Sequence, residues 1–290
     1  MQDLHKIFRR PIGISTDVFS GSERERAEAI AAHGFDCVQW RLPLATQDIN
    51  PANVKSLLKP YQDNGLQVVA LAGYENIVDP NLQLRLQGME RLKRLMDMAP
   101  LCGRGGIAGG MGVATETGTK NRMSQWTWHD DNASDASWAD LKNAVTELCR
   151  YAKQAGARLV LEGYVNNVLR TADDIERLRR ELRSVEYWFV MDPFNLFLDD
   201  KLAQQQHEFA RIFAAIGKRA AVAHAKDLFY YHGQINTPRA GQGVFDYKTY
   251  FQLLDEHLPD VPLILEHLTA EQVDDALDYL KRMHDITPDP

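Results

Sequence analysis

Short apolar runs rich in Ile, Val, Leu and Phe recur along the chain. Each is followed by a polar loop and then by apolar residues at helical spacing. The runs cover residues 12–18, 35–42, 66–72, 106–115, 157–162, 187–192, 219–225 and 261–266. The amphipathic stretches lie near 22–33, 51–64, 81–99, 137–155, 171–184, 201–216, 246–257 and 270–284. Ser22 with Glu25, and Thr171 with Asp174, have the form of capping boxes. Gly34, Gly65 and Gly156 fall just past helical patterns, where a left-handed cap needs no Cβ. Eight strands alternating with eight helices predict an α/β chain closed as a single (β/α)8 TIM barrel, one domain over residues 1–290. The fourth run is the most dilute, because Gly103, Gly105, Gly106, Gly109 and Gly110 interrupt it. An open doubly wound sheet is the alternative, but no run is followed by G-x-G-x-x-G. Residues 116–136 are too long for a plain connection, which suggests a lid.

Composition narrows the function classes. Lys and Arg total 33 against 40 Asp and Glu, a net charge of −7 in 290 residues. An acidic chain lacks the clustered cations that binding a nucleic-acid backbone requires. The hydrophobic share of 44% excludes a disordered tail. Cys37, Cys102 and Cys149 are too few for a disulfide framework and form no C-x-x-C pair. They read as free thiols in a reducing compartment. No apolar run precedes the charges of residues 1–10, and no stretch has the length of a membrane helix. The expectation is a cytoplasmic protein with no nucleic-acid or membrane partner.

Four consecutive strands end on an ionisable side chain. They read Arg158-Leu-Val-Leu-Glu162, Trp188-Phe-Val-Met-Asp192, Ala221-Val-Ala-His224 and Leu263-Ile-Leu-Glu266. The intervals of 30, 32 and 42 residues each approximate one strand-plus-helix unit. In a parallel barrel this spacing stacks all four groups on the C-terminal rim, where barrel active sites lie. Three carboxylates and an imidazole cannot converge there unpaired. A divalent cation resolves the conflict. Three carboxylates and one His suit Mn2+ best in this reading, then Mg2+, Co2+ or Fe2+, with Zn2+ as a further option. Taken singly, Asp192 before Pro193 reads as a turn residue, a Glu after a strand as a helix cap, and His224 as a core histidine. The joint pattern favours the metal site.

The chain resembles the xylose isomerase-like barrel superfamily, in its sugar phosphate isomerase/epimerase branch. The resemblance is carried by Gly34-Phe-Asp-Cys-Val-Gln39, Gly65-Leu-Gln-Val-Val-Ala-Leu71, Thr115-Glu-Thr-Gly-Thr119, Leu161-Glu162, Met191-Asp-Pro-Phe-Asn195, His224-Ala-Lys-Asp227, Gly241-Gln-Gly243 and Leu265-Glu266. It implies that Glu162, Asp192, His224 and Glu266 bind one divalent metal, and that Glu162 and Glu266 act as the acid/base pair. Two positions depart from the pattern. Many relatives have Glu in place of Gln39, and the ketose epimerases have His in place of Asn195.

The implied reaction removes a proton from a carbon next to a carbonyl. A metal bridging the carbonyl oxygen and a neighbouring hydroxyl stabilises the enediolate. A second carboxylate returns the proton, giving a sugar epimerase or isomerase. Loss of a β-hydroxyl would instead make a dehydratase or lyase on an inosose-like or keto-sugar substrate. A many-histidine DNA-repair phosphodiesterase is disfavoured, since His224, His232 and His267 are the few rim candidates. A non-catalytic sugar-binding barrel is a further alternative. Around the rim, Lys226 and Asp227 are candidates to bind a substrate oxygen, to orient a ligand or to form a loop salt bridge, and Asn195 to bind a hydroxyl or to serve a turn. Glu116 is a candidate to reach the pocket, and Arg41 to hold an anionic group or pair with an acid. Trp126, Trp128 and His129 could stack on a sugar face or close over it, or pack against the barrel or against another subunit of a homo-oligomer. Gly241-x-Gly243 reads as a flexible loop or as a phosphate cradle.

Overall fold

The computed structural model describes residues 4–105 and 110–285. Eight parallel strands close into a barrel: β1 (Ile12–Ser15), β2 (Cys37–Trp40), β3 (Gln67–Ala72), β4 (Gly112–Glu116), β5 (Arg158–Glu162), β6 (Trp188–Met191), β7 (Ala220–Ala225) and β10 (Leu263–Leu265). Each pairs with its sequence neighbours, and β10 pairs with β1 through Gly13↔Ile264. Closure excludes the open doubly wound sheet. The fourth strand begins at Gly112, later than the apolar run suggested, and residues 106–109 of that run lie outside the described residues. The first run stops as a strand at Ser15, because residues 16–18 form one 3-10 turn.

The outer helices are α2 (Glu23–Ala32), α3 (Pro51–Asp63), α4 (Leu82–Met98), α5 (Asp135–Ala155), α6 (Ala172–Glu181), α7 (Gln205–Ile216), α8 (Tyr247–His257) and α9 (Val273–Asp285). Both capping boxes form, each satisfying two backbone donors at a helix start. Gly34, Gly65 and Gly156 have φ of 84°, 74° and 73°, as left-handed caps require. Two elements escaped the periodicity reading. Helix α1 (Leu4–Phe8) is a single short helix before β1, and its buried Leu4 and Phe8 join the main core. A hairpin, β8 (Phe229–Tyr231) with β9 (Gln234–Asn236), rises from the connection after β7. Among the described residues no helix is long and apolar enough to cross a membrane.

Two apolar layers result. The large one lies between strands and helices. The small one fills the barrel with Cys37, Val69, Ala114, Val160, Val190, Val222 and Ile264, drawn from seven strands. The eighth strand contributes Gly13, where a Cβ would come within 2.7 Å of Cys37 Sγ and Ile264 Cδ1. Side chains two apart on a strand share a face. Two residues beyond this plug the interior face therefore carries Gln39, Glu116, Glu162, Asp192, His224 and Glu266. The plug thus forms the floor of a polar rim at the C-terminal ends of the strands. All three thiols are buried, and burial pushes those of Cys102 and Cys149 up to about 12.

Candidate metal centre

Glu162 ends β5, His224 lies one residue before the end of β7, and Asp192 and Glu266 directly follow β6 and β10. One ligand atom from each of these four side chains falls within 4.8 Å of the others. His224 Nδ1 is the hub, at 3.0 Å from Asp192 Oδ2, 3.2 Å from Glu266 Oε1 and 3.8 Å from Glu162 Oε2. His224 is fully buried, Asp192 is 1% exposed, and the side chain of Glu266 is 12% exposed. The convergence inferred from strand-end spacing is thus present in the fold.

The orientation of the His224 ring follows from its other nitrogen. Nε2 donates to Gln39 Oε1 at 3.1 Å, because a carboxamide oxygen can only accept. Nδ1 is thereby turned toward the three carboxylates, the orientation a metal-ligating imidazole needs. Gln39 uses its amide as well: Nε2 donates to Tyr74 Oη at 2.8 Å, and Tyr74 Oη donates to Glu162 Oε2 at 2.7 Å. A glutamate at residue 39 could accept from His224 but could not donate to Tyr74. The departure at Gln39 therefore ties two of the four converging side chains, His224 and Glu162, into one chain of hydrogen bonds. Tyr74 carries no strand-end signal and was missed in the sequence. Its φ of 46° is uncommon for a bulky residue.

Asn195 donates Nδ2 to Glu162 Oε1 at 2.7 Å, so both oxygens of Glu162 are held. Lys226, two residues beyond His224 on the same face, is 1% exposed. Its Nζ donates to Asp192 Oδ2 at 2.6 Å and also to Glu266 Oε1. The other oxygen of Asp192, Oδ1, is buried and has no hydrogen-bond partner. An orphaned carboxylate oxygen beside two further carboxylates and an imidazole fits a divalent cation.

Electrostatics agree with that fit. Burial, together with Asp192 and Glu266, raises Glu162 to about 8 against the opposing pull of His224. Asp192 and Glu266 are lowered: burial opposes this, but Lys226 and His224 prevail. His224 resists the burial that would neutralise it, and the surrounding carboxylates raise it to about 10. Two cationic side chains thus balance three acids, and a cation with two charges could take over that work.

A cleft of about 210 Å³ opens above these groups. Arg41, Glu116, Asn195 and Lys226 line it, as does Glu266. Arg41 pairs with Asp17 at 2.7 Å, the acid-pairing alternative, and its guanidinium sits 5.3 Å from the Tyr74 ring centre. Burial raises Glu116. Trp126 and His267 border the cleft, and Trp128 does not.

Asp227 requires correction. It is fully buried and accepts from the backbone amides of Leu228, Gly241 and Phe245, at 2.9, 2.9 and 3.0 Å, so its carboxylate is not offered to the cleft. The amide of Gly243 also points at it. A Cβ at Gly243 would run into Asp227 Oδ1 and Leu228 O. The Gly241-x-Gly243 segment therefore cradles an internal carboxylate, not a phosphate. Residues 116–136 are pinned in part: Asn132, 3% exposed, binds Thr119 and the amide of Lys120. His129 caps the turn at residues 130–133 by accepting from the amide of Asp131 at 3.2 Å.

Comparison with known proteins places this arrangement. No curated protein sequence matches the chain. Solved structures share its fold at low identity. The 3-keto-D-glucoside 4-epimerase YcjR from E. coli is 17% identical, with a TM-score of 0.71 over 94% of this chain and 99% of its own. A D-psicose 3-epimerase determined in the presence of D-fructose is 13% identical, with a TM-score of 0.66 over 94% and 96%. A xylose isomerase-like TIM barrel protein from Mycobacterium smegmatis, in complex with magnesium, is 17% identical, with a TM-score of 0.67 over 98% and 100%. The sequence model of the xylose isomerase-like TIM barrel family matches residues 27–283. Barrel, rim and sequence match agree, and the chain belongs to the xylose isomerase-like TIM barrel family.

Proposed function

We propose that the chain is a divalent-metal-dependent sugar isomerase or epimerase, in which Glu162, Asp192, His224 and Glu266 hold the cation and Glu162 and Glu266 move the proton. The observation that carries this reading is the convergence of four ligand atoms from four successive barrel strands within 4.8 Å. Similarity to structures described as a 3-keto-D-glucoside 4-epimerase and a D-psicose 3-epimerase supports a keto-sugar or ketose substrate.

When bound, the cation supplies positive charge to the oxygens on which negative charge develops as the carbon-bound proton leaves. The residues of the chain do the rest. Tyr74 and Asn195 hold one oxygen each of Glu162, fixing the direction in which it approaches a substrate carbon. Lys226 fixes Glu266 across the cluster and offers a buried cation beside the cleft. Gln39 keeps His224 Nδ1 turned inward.

The test incubates the protein with Mn2+ and a panel of ketoses, 3-keto-glycosides and inosose-like compounds in deuterated water. Conversion with deuterium entering at one carbon is expected. Conversion without deuterium would remove the proton-transfer roles of Glu162 and Glu266, and loss of water from the product would reassign the reaction as a dehydration.

A further inference from the structure

A second cavity, of about 440 Å³, lies directly beside the cleft. Trp126 lines both, standing between them, and its ring meets Tyr164 edge-on at 5.8 Å. The cleft alone, at about 210 Å³, is below the range of about 300–1,000 Å³ usual for small-molecule sites, whereas the neighbouring groove is within it.

The groove is walled by aromatic rings. Trp128 lies under the Arg170 guanidinium at 4.0 Å, and its Nε1 donates to Asp130 at 3.0 Å. Tyr230, on the β8–β9 hairpin, donates its hydroxyl to Phe197 O at 2.9 Å. The backbone of Trp126 is held by Asn166 Nδ2 at 2.7 Å. Asp199 and Asp200 border the same cavity. Rigid aromatic faces present negative π surface to the C–H face of a sugar ring, while carboxylates and amides at the edge accept its hydroxyls. Asp199 and Asp200 at the border disfavour a phosphate or carboxylate, and the Arg170 guanidinium over Trp128 disfavours a cation, so a neutral occupant fits the groove best.

We propose that this groove is a second sugar subsite and that the substrate is a neutral glycoside. Its reacting ring occupies the metal-bearing cleft, and its second ring crosses Trp126 into the groove. The proposal rests on the sugar isomerase or epimerase reading and narrows its substrate class.

The experiment measures equilibrium binding of glucose, maltose, trehalose, cellobiose and sucrose to the full chain with Mn2+ present, by calorimetry and tryptophan fluorescence. At least one disaccharide is expected to bind tenfold or more tightly than glucose. That ratio should collapse toward one in Trp128→Ala. Ile235→Trp, which fills the groove from the hairpin, keeps the test decisive if Trp128→Ala does not fold. Disaccharides within threefold of glucose, or a ratio that survives both substitutions, would overturn the subsite. Absence of all sugar binding would overturn it too. If the keto-sugar panel is still converted, the subsite falls alone; if that panel also fails, the sugar reading falls with it.

Discussion

Lys226 offers the sharpest test of how the carboxylate cluster is balanced. Its ammonium is 1% exposed and bridges Asp192, at 2.6 Å, and Glu266. At an effective dielectric near 20 the Asp192 contact alone is an attraction of about 6 kcal/mol, offset by the several kcal/mol needed to bury each ion. Lys226→Met keeps the length and volume of the stem but leaves Asp192 and Glu266 without their cation. Breaking a buried pair from one side costs about 3–5 kcal/mol. For 290 residues the unfolding entropy is about 0.6 kcal/mol per degree, so Tm should fall by about 5–8 °C in EDTA. Mn2+ at a hundred times its Kd should return about 2.7 kcal/mol, or about 4 °C. At the same Mn2+ concentration the shift should exceed that of the parent protein, because no ammonium competes for Asp192 and Glu266 and the Kd is lower. The assay is thermal unfolding followed by circular dichroism, with and without Mn2+. An unchanged Tm in EDTA, or a Mn2+ shift no larger than the parent's, would refute the idea that Lys226 compensates the cation ligands.

Three further outcomes follow from the same geometry. Glu162→Gln should fold, because Tyr74 can turn its hydroxyl to accept from the new amide; turnover should drop by about 10²–10⁴ in a steady-state assay, as loss of a positioned base implies. Cation binding should release protons. Glu162 is raised to about 8 and His224 to about 10, so both hold protons at pH 7, and metal affinity should climb from pH 6 to 9. Calorimetric titration of Mn2+ in two buffers of different ionisation heat measures this, and zero proton release would count against the shifts. Gly243→Ala should destabilise the protein by about 1–3 kcal/mol in urea unfolding, since the new Cβ runs into Asp227, while leaving Mn2+ affinity unchanged.

The convergence of Glu162, Asp192, His224 and Glu266 was legible in the sequence because barrel topology turns a spacing of one strand-plus-helix unit into a shared height. Val160 to Glu162, Val190 to Asp192, Val222 to His224 and Ile264 to Glu266 each step from plug to rim in two residues. What stayed hidden lacks such a period. Tyr74 lies past the end of β3 in a left-handed conformation that no pattern announces. Asp227 follows the His-Ala-Lys stretch and looks like a site residue, yet its partners are amides 14 and 18 residues further on. Such long-range backbone contacts leave no local trace. The hairpin left only a weak one: His232 and Gly233 both have positive φ, 49° and 73°, as a two-residue turn of type I′ requires, and of the two only the Gly is a turn signal in sequence. A His at its first position hides the usual Asn-Gly or Asp-Gly cue.

The same two-residue step explains where this rim can vary. Cys37 leads to Gln39 and Ala114 to Glu116 by the parity that delivers the four ligands. Gln39 supports the ligand set from behind, through His224 and Tyr74, whereas Glu116 faces the cleft beside Trp126. Replacing a ligand removes charge from a buried cluster whose members compensate one another. Replacing Glu116 alters the cleft wall and removes a charge that acts on Lys226 and Glu266, whereas Trp126, Trp128 and Tyr230 carry no charge into that balance. The converging side chains and the aromatic groove therefore lie on different elements: the first on strand ends above the plug, the second in part on the 116–136 segment and the β8–β9 hairpin. In the proposed reading, rim loops can change while the strand-end cluster, and the hydrogen bonds that orient it, stay fixed.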